Sequence, residues 1–282
     1  MDNNEKINRV AGSLIGFACG DACGALVEFM TPGEIRRKYG RVVDMLPGGW
    51  IKGRLAGECT DDTQMALCVA RSLVSTCGEP DYKDMSDRLL EWLDSKPKDV
   101  GSACRRGLEA CRKTGSLCNG DDTTLGNGGL LRVLPFALAG RTWQEAMAHV
   151  ELTHCTSLQA RAVQSYVLAL QAALAGGDKR DIGMEIRGIG IRPVGVKNNR
   201  GDVKNSLSSA LNWFFTTNTF EDCITQAVNA GHDADSVAAL SGGLAGAYYS
   251  IEAIPQQWRD ALDRGVHDEL MLLARPLAAL FV

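Results

Sequence analysis

Two short clusters of oxygen-bearing side chains stand out, Thr60-Asp61-Asp62-Thr63 and Asp233-Ala234-Asp235-Ser236. Each sets two carboxylates and at least one hydroxyl within four residues and then runs into an apolar, alanine-rich stretch. Neighbouring carboxylates repel, so a folded chain keeps them together only with a compensating partner. A hard divalent cation is such a partner, because it takes oxygen ligands. The four carboxylates carry the charge to offset two ions. The competing reading is a pair of helix caps, since both clusters lie where a loop gives way to a helix. A cap uses one side-chain oxygen, and both clusters hold more than that.

Other residues are weaker signals. Asp99, two residues before Gly101, reads by itself as a helix cap. Glu28, among Leu26, Val27 and Phe29 at the close of the first helix, reads as a solvent-facing carboxylate. Gly126-Asn127-Gly128-Gly129 precedes an apolar helix expected from Leu130 to Leu138. Such a turn lets backbone N–H groups approach phosphate at a helix start, although most short glycine turns are only turns. His154 alone reads as a structural histidine. Cys104, Cys111 and Cys118 recur every seven residues, the spacing of one buried helix stripe.

Composition narrows the classes. The formal net charge of -4, with no basic arm, argues against nucleic acid as a partner. No segment approaches the roughly 20 apolar residues of a membrane span. The start, Met1-Asp2-Asn3-Asn4-Glu5-Lys6, is polar and resembles no export signal. Ten cysteines without C-x-x-C spacing then read as reduced thiols, and the expected location is cytoplasmic.

The elements that position the clusters are helices. Ile7, Val10, Ala11, Leu14, Ile15 and Ala18 follow the 3.6-residue period, as do Leu67, Ala70, Leu73 and Val74. Similar stripes run through Leu158–Leu174, Leu207–Phe214, Phe220–Val228 and Trp258–Leu270. No strand-like alternation of useful length is present. Loops are expected over 40–60, 114–128, 176–180, 190–202 and 229–235, where glycine, proline, asparagine and aspartate gather. The chain therefore predicts an all-α fold, one compact multi-helix domain over residues 1–282. Ala238, Ser241, Gly242, Ala245 and Gly246 give the helix after Asp235 a face of small residues. That face predicts a central helix in close contact with a neighbour, expected to be the helix after Asp62.

The ordered set of motifs resembles the ADP-ribosylglycohydrolases over nearly the whole chain. It runs from Gly20-Asp21-Ala22-Cys23-Gly24 and Val27-Glu28-Phe29-Met30 through Gly48-Gly49-Trp50 and Thr60-Asp61-Asp62-Thr63. It continues through Asp99-Val100-Gly101, Gly126-Asn127-Gly128-Gly129 and Thr153-His154 to Asp233-Ala234-Asp235-Ser236 and Ile254-Pro255. The resemblance is nearest the branch that acts on the nitrogenase iron protein. It implies an all-α fold with a binuclear magnesium or manganese centre held by Thr60, Asp61, Asp62, Asp233, Asp235 and Ser236. It implies hydrolysis of the bond between ADP-ribose and a modified protein, commonly at arginine, with Asp99 and Glu28 as catalytic carboxylates. Gly101, Gly126, Asn127, Gly128, Gly129, His154 and Asp202 then fall at the ADP-ribose site.

Four positions depart from the pattern. Ser236 stands where the family usually has threonine, and keeps the hydroxyl. Asp202 stands where relatives often carry a tyrosine that stacks on adenine, Ser102 where they carry asparagine, and His232 where they carry glycine. The last three leave open an ADP-ribose-binding relative without turnover, or a hydrolase of a serine or O-acetyl linkage. Helical prenyl diphosphate synthases also pair two aspartate-rich motifs with magnesium. Their D-D-x-x-D pattern needs aspartate where this chain has Met65, which disfavours them.

Overall fold

The apolar stripes become fifteen α-helices and one 3-10 turn in a computed structural model that describes residues 2–281. Met1 and Val282, the two ends of the expected domain, lie outside the described residues. The helices are α1 (Asn3–Gly24), α2 (Pro32–Tyr39), α3 (Asp61–Ser75), α4 (Tyr82–Asp94) and α5 (Ser102–Thr114). Next come α6 (Gly128–Leu131), α7 (Leu134–Leu138), α8 (Trp143–Val150), α9 (Ser157–Leu174) and α10 (Lys179–Glu185). The last are α11 (Val203–Thr216), α12 (Phe220–Asn229), α13 (Ala234–Tyr249), α14 (Gln256–Ala261) and α15 (Arg264–Leu280). Among the described residues, pairing of extended backbone is limited to two isolated bridges, Asp121 with His154 and Gly126 with Asp202. No helix among them is long and apolar enough to cross a membrane.

The centre of the bundle is α13, buried from Ala234 to Ala247. A helix that is apolar all round belongs in a core. Its small-residue face meets α1, not α3 as the sequence suggested. Gly12, Gly16, Gly20 and Gly24 of α1 lie against Gly246, Gly242, Ala238 and Ala234 of α13, so the two helices run antiparallel. A Cβ added at Gly20 would stand 2.0 Å from the Ala238 carbonyl oxygen, and one at Gly16 would stand 2.4 Å from that of Gly242. Small residues on both helices are what allow backbones to come this close. On another side of α13, the buried Tyr166 of α9 donates its hydroxyl to the Leu240 carbonyl at 3.1 Å.

Three local expectations change. The stripe from Trp258 to Leu270 is two helices, because Asp263 accepts from Val266 N and starts α15 afresh. The helix expected over Leu130–Leu138 is split at Arg132-Val133 into α6 and α7, with Pro135 in the first turn of α7. Proline lacks an N–H to continue the helix that precedes it. Cys104 and Cys111 are buried on α5, but α5 ends at Thr114 with Gly115 left-handed, so Cys118 falls outside the stripe and is exposed.

Candidate functional site

The antiparallel contact sets the end of α1 beside the start of α13. Asp21, fully buried on α1, accepts from Thr60 N at 3.1 Å, Thr63 N at 3.2 Å and Thr63 Oγ1 at 2.5 Å. It thereby ties the start of α3 to α1. Thr60 caps α3 by accepting from Asp62 N at 3.3 Å, which leaves both aspartates of the first cluster free of that task. Asp61 Oδ2 accepts from Gly101 N at 2.9 Å. Asp233 occupies the cap position of α13, yet its carboxylate does not cap. Its Oδ2 accepts from Ser206 Oγ at 2.7 Å, Asn127 Nδ2 at 2.8 Å and Asn199 Nδ2 at 3.3 Å. The two clusters meet where Ser236 Oγ donates to Asp62 Oδ2 at 2.9 Å. Asp21→Asn would turn an amide N–H toward these donors and is expected to cost about 2–3 kcal/mol. It should also weaken divalent-cation binding by about 10–100-fold, as loss of a group behind a ligand does. Urea unfolding and a manganese titration check both; wild-type values in either would contradict the role of Asp21.

Two carboxylates join this centre from elsewhere. Ligand atoms of Glu28, Asp99 and Asp235 lie within 4.8 Å of one another, a grouping able to hold a metal ion. Asp99 is no cap: α5 begins at Ser102 with Gly101 in the cap position and no side-chain bond. Nor does Glu28 close a helix or face solvent. α1 ends at Gly24, and Glu28 lies in the following turn, 8% exposed, accepting from the Trp50 indole N–H. Phe29 and Trp50 pack ring to ring at the rim, centroids 5.3 Å apart.

Burial dominates the electrostatics. It pushes Glu28 up to about 8, reinforced by the charges of Asp99 and Asp233 and opposed by the Trp50 N–H. Burial, then the charge of Asp99, pushes Asp61 up to about 7. Asp62 is raised well above its ordinary range by burial and by Asp61, Asp21 and Asp233; Asp235 is raised likewise by burial, Glu28 and Asp62. Asp235 Oδ1 is buried with no hydrogen-bond donor. A buried acceptor without a donor, among carboxylates that resist ionising together, fits a cation. The donor set of carboxylates and hydroxyls is that of a hard divalent ion.

These shifts set a pH dependence. Both numbered pKa values are raised, so the folded chain holds these protons more tightly than the unfolded chain. Their stabilisation is complete below the ordinary carboxylate range and is lost as pH climbs through about 7 for Asp61 and about 8 for Glu28. Metal-free protein is therefore expected to melt at a lower temperature at about pH 8 than at about pH 5. Added divalent cation should restore most at the alkaline end, because ligation needs deprotonated carboxylates. Thermal melts with and without chelator check this, and a metal-free melting temperature that rises over that range would contradict it.

The glycine turn borders the same centre, since Asn127 holds Asp233. His154 lies beneath that turn, 1% exposed and 2.7 Å from Thr153 Oγ1; a Cβ at Gly129 would reach within 3.0 Å of its Nδ1. Burial and then the charge of Arg132 push His154 down to about 3, so it is neutral. Arg132 is itself buried, donating to His149 Nε2, Thr153 Oγ1 and the Gly128 carbonyl, with no carboxylate paired to it among the described residues. Asp202 caps α11 by accepting from Asn205 N at 3.0 Å and bridges to Gly126. Ser102 is the exposed first residue of α5. His232 has φ +62°, a left-handed conformation that favours glycine. Its N–H donates to the Met30 carbonyl at 2.7 Å, which fastens the turn holding Glu28 to the start of α13.

Asp21, Trp50, Asn199 and Ser206 support the centre from outside both acidic clusters. Asp21 had a readable signal: it continues the apolar stripe of Leu14 and Ala18, and a carboxylate on a core-facing stripe needs partners. Trp50 and Asn199 lie in loops, where periodicity carries nothing.

The ADP-ribosylglycohydrolase family model matches residues 2–282. The chain is 36% identical to an ADP-ribosyl-[dinitrogen reductase] glycohydrolase of Rhodospirillum rubrum, over 97% of this chain and 96% of that protein. It is 33% identical to ADP-ribosylarginine hydrolase Tri1 of Pseudomonas putida (strain GB-1), over 90% of this chain and 74% of that one. A solved chain of an ADP-ribosylglycohydrolase-related protein complex superposes with a TM-score of 0.87 at 33% identity, covering 99% of this chain and 100% of that chain. With the helical bundle and its buried carboxylate centre, these matches show that the chain belongs to the ADP-ribosylglycohydrolase family.

Proposed function

We propose that this protein is a metal-dependent glycohydrolase that removes ADP-ribose from a modified protein, with ADP-ribosylarginine as the preferred linkage. The observation that carries the reading is the meeting of both acidic clusters in one buried centre, with Asp235 Oδ1 left without a donor. The names of the Rhodospirillum and Pseudomonas relatives support the substrate class, and the first makes modified dinitrogen reductase a candidate target.

Thr60, Asp61, Asp62, Asp233, Asp235 and Ser236 would hold two magnesium or manganese ions, with Glu28 and Asp99 close enough to Asp235 to share one. When bound, such ions orient ribose hydroxyls and lower the pKa of a water. Breaking the bond at the anomeric carbon builds positive charge on the sugar, which the surrounding carboxylates stabilise. Asp99 or Glu28 gives the leaving guanidine its proton. Ser206, Asn127 and Asn199 fix the orientation of Asp233. The turn 126–129, with His154 and the Arg132 guanidinium beneath it, offers N–H groups and positive charge to a diphosphate. Gly101, whose N–H donates to Asp61, and Asp202, which bridges to Gly126, would add to the ADP-ribose contacts.

The test is a release assay on arginine-, serine- and O-acetyl-linked ADP-ribose with magnesium or manganese. Metal-dependent release from arginine above the other two is expected. Binding of ADP-ribose with no release from any linkage would instead establish a binding protein without turnover.

A further inference from the structure

A cavity of about 740 Å³ lies beside the carboxylate centre, not over it. Its volume is in the range of small-molecule sites, roughly 300–1,000 Å³. Glu28, Asp61, Asp62, Asp99, Asp233 and Asp235 do not line it, nor does any other acidic side chain among the described residues. Its walls come from α2, the segment 195–199, α11, the end of α12 and the turn before Asp233.

Three cations open onto this space: Arg36, Arg41 and Lys197. None is in an ion pair among the described residues. In a chain with net charge -4, a cavity bearing cations and no acid is an exception to the prevailing sign. The nearby acid of α2, Glu34, is engaged with Thr31 N and Oγ1, both at 2.7 Å. Carbonyls that close α12 are taken by Ala230 N and Gly231 N. The rest of the wall is mixed: Ser209, Thr225, Gln226, Asn229 and His232 contribute polar groups, and Ile35, Val237 and the half-buried Trp213 form an apolar part.

We propose that this cavity is a second ligand site, for a small organic anion with a planar apolar body and a phosphate or carboxylate head. The cations take the head, and Trp213, Ile35 and Val237 cover the body. Asn199 is the partition between this site and the carboxylates. It lines the cavity while its amide donates to Ser206 Oγ at 3.0 Å and Asp233 Oδ2 at 3.3 Å on the other side. The proposal does not depend on glycohydrolase turnover, because it concerns a space that the reacting groups do not enter.

The probe is 1-naphthyl phosphate, titrated into the metal-loaded full chain by calorimetry, with inorganic phosphate and 1-naphthol as its two halves. One-site binding is expected, tighter than for either half. The double variant Arg41→Ala/Lys197→Ala should weaken it by at least about tenfold, the loss expected for two charge contacts to one anion. Both side chains are exposed, so an unchanged melting temperature and unchanged ADP-ribose release would show that fold and reaction centre survive. ADP-ribose should not displace the probe. No binding, or binding that ignores the double variant and is displaced by ADP-ribose, would overturn the proposal.

Discussion

Asp235→Asn is expected to lower ADP-ribose release by about 10³-fold while raising the melting temperature of the metal-free protein. The loss in rate corresponds to about 4 kcal/mol of transition-state stabilisation, the upper range for removing one preorganised electrostatic group. The gain in stability has the opposite origin. Asp235 is buried beside Glu28 and Asp62, which with burial raise its pKa well above the ordinary range, and its Oδ1 has no donor. Asparagine keeps the shape and removes the charge that the metal-free fold must confine. Each kcal/mol so gained moves the melting point of a chain this size by roughly 2–4 °C. Saturating divalent cation should reverse the order, because a ligand that binds the native state stabilises it more the tighter it binds, with the logarithm of its affinity, and the variant binds it poorly. Calorimetric melts with chelator and with metal, beside the release assay, read all three effects. Wild-type turnover in the variant, or a variant less stable than wild type without metal, would sink the assignment of Asp235 as a cation ligand.

Gly20→Ala is expected to abolish soluble folded protein. The added methyl would lie 2.0 Å from the Ala238 carbonyl oxygen and 2.8 Å from Ala239 N, so α1 and α13 would have to move apart. Backbone cannot yield as the end of a flexible side chain does. The expected loss exceeds about 4 kcal/mol, against a total stability of roughly 5–15 kcal/mol for a typical domain. The damage should also reach the site, because the same contact sets Glu28 beside Asp235. Gly33→Ala on α2 is the control: its nearest neighbour would be the Arg37 side chain at 3.7 Å. That change should be neutral or stabilising by up to about 1 kcal/mol, through the helix propensity of alanine. Soluble yield and urea unfolding separate the two, and a Gly20→Ala protein that melts near wild type would refute the close-packed seam.

The fold class was legible because long stripes such as Val10–Ala18 and Leu158–Leu174 repeat at the helical period, which local sequence records directly. Ends and breaks were less so. The stripe from Trp258 to Leu270 kept its period across the interruption at Asp263, and periodicity cannot register a change of axis. For the site, the two acidic clusters and their hydroxyls were visible as local excesses of carboxylate. Asp99 and Glu28 looked like a cap and a surface acid, because a lone carboxylate takes its meaning from neighbours far away in the chain.

Sequence by itself determined the helical class, the two clusters, their place at helix starts and the small-residue face of α13. These are properties of adjacent residues and of period. Tertiary structure decided which helix fills that face, and the choice of α1 carries the rest with it. Four glycines at one-turn spacing admit the backbone of α13, the antiparallel direction brings Glu28 to Asp235, and Asp21 draws the start of α3 to the same place. Close approach of two backbones depends on what is missing from both helices at once, and a single stretch of sequence holds only half of that information.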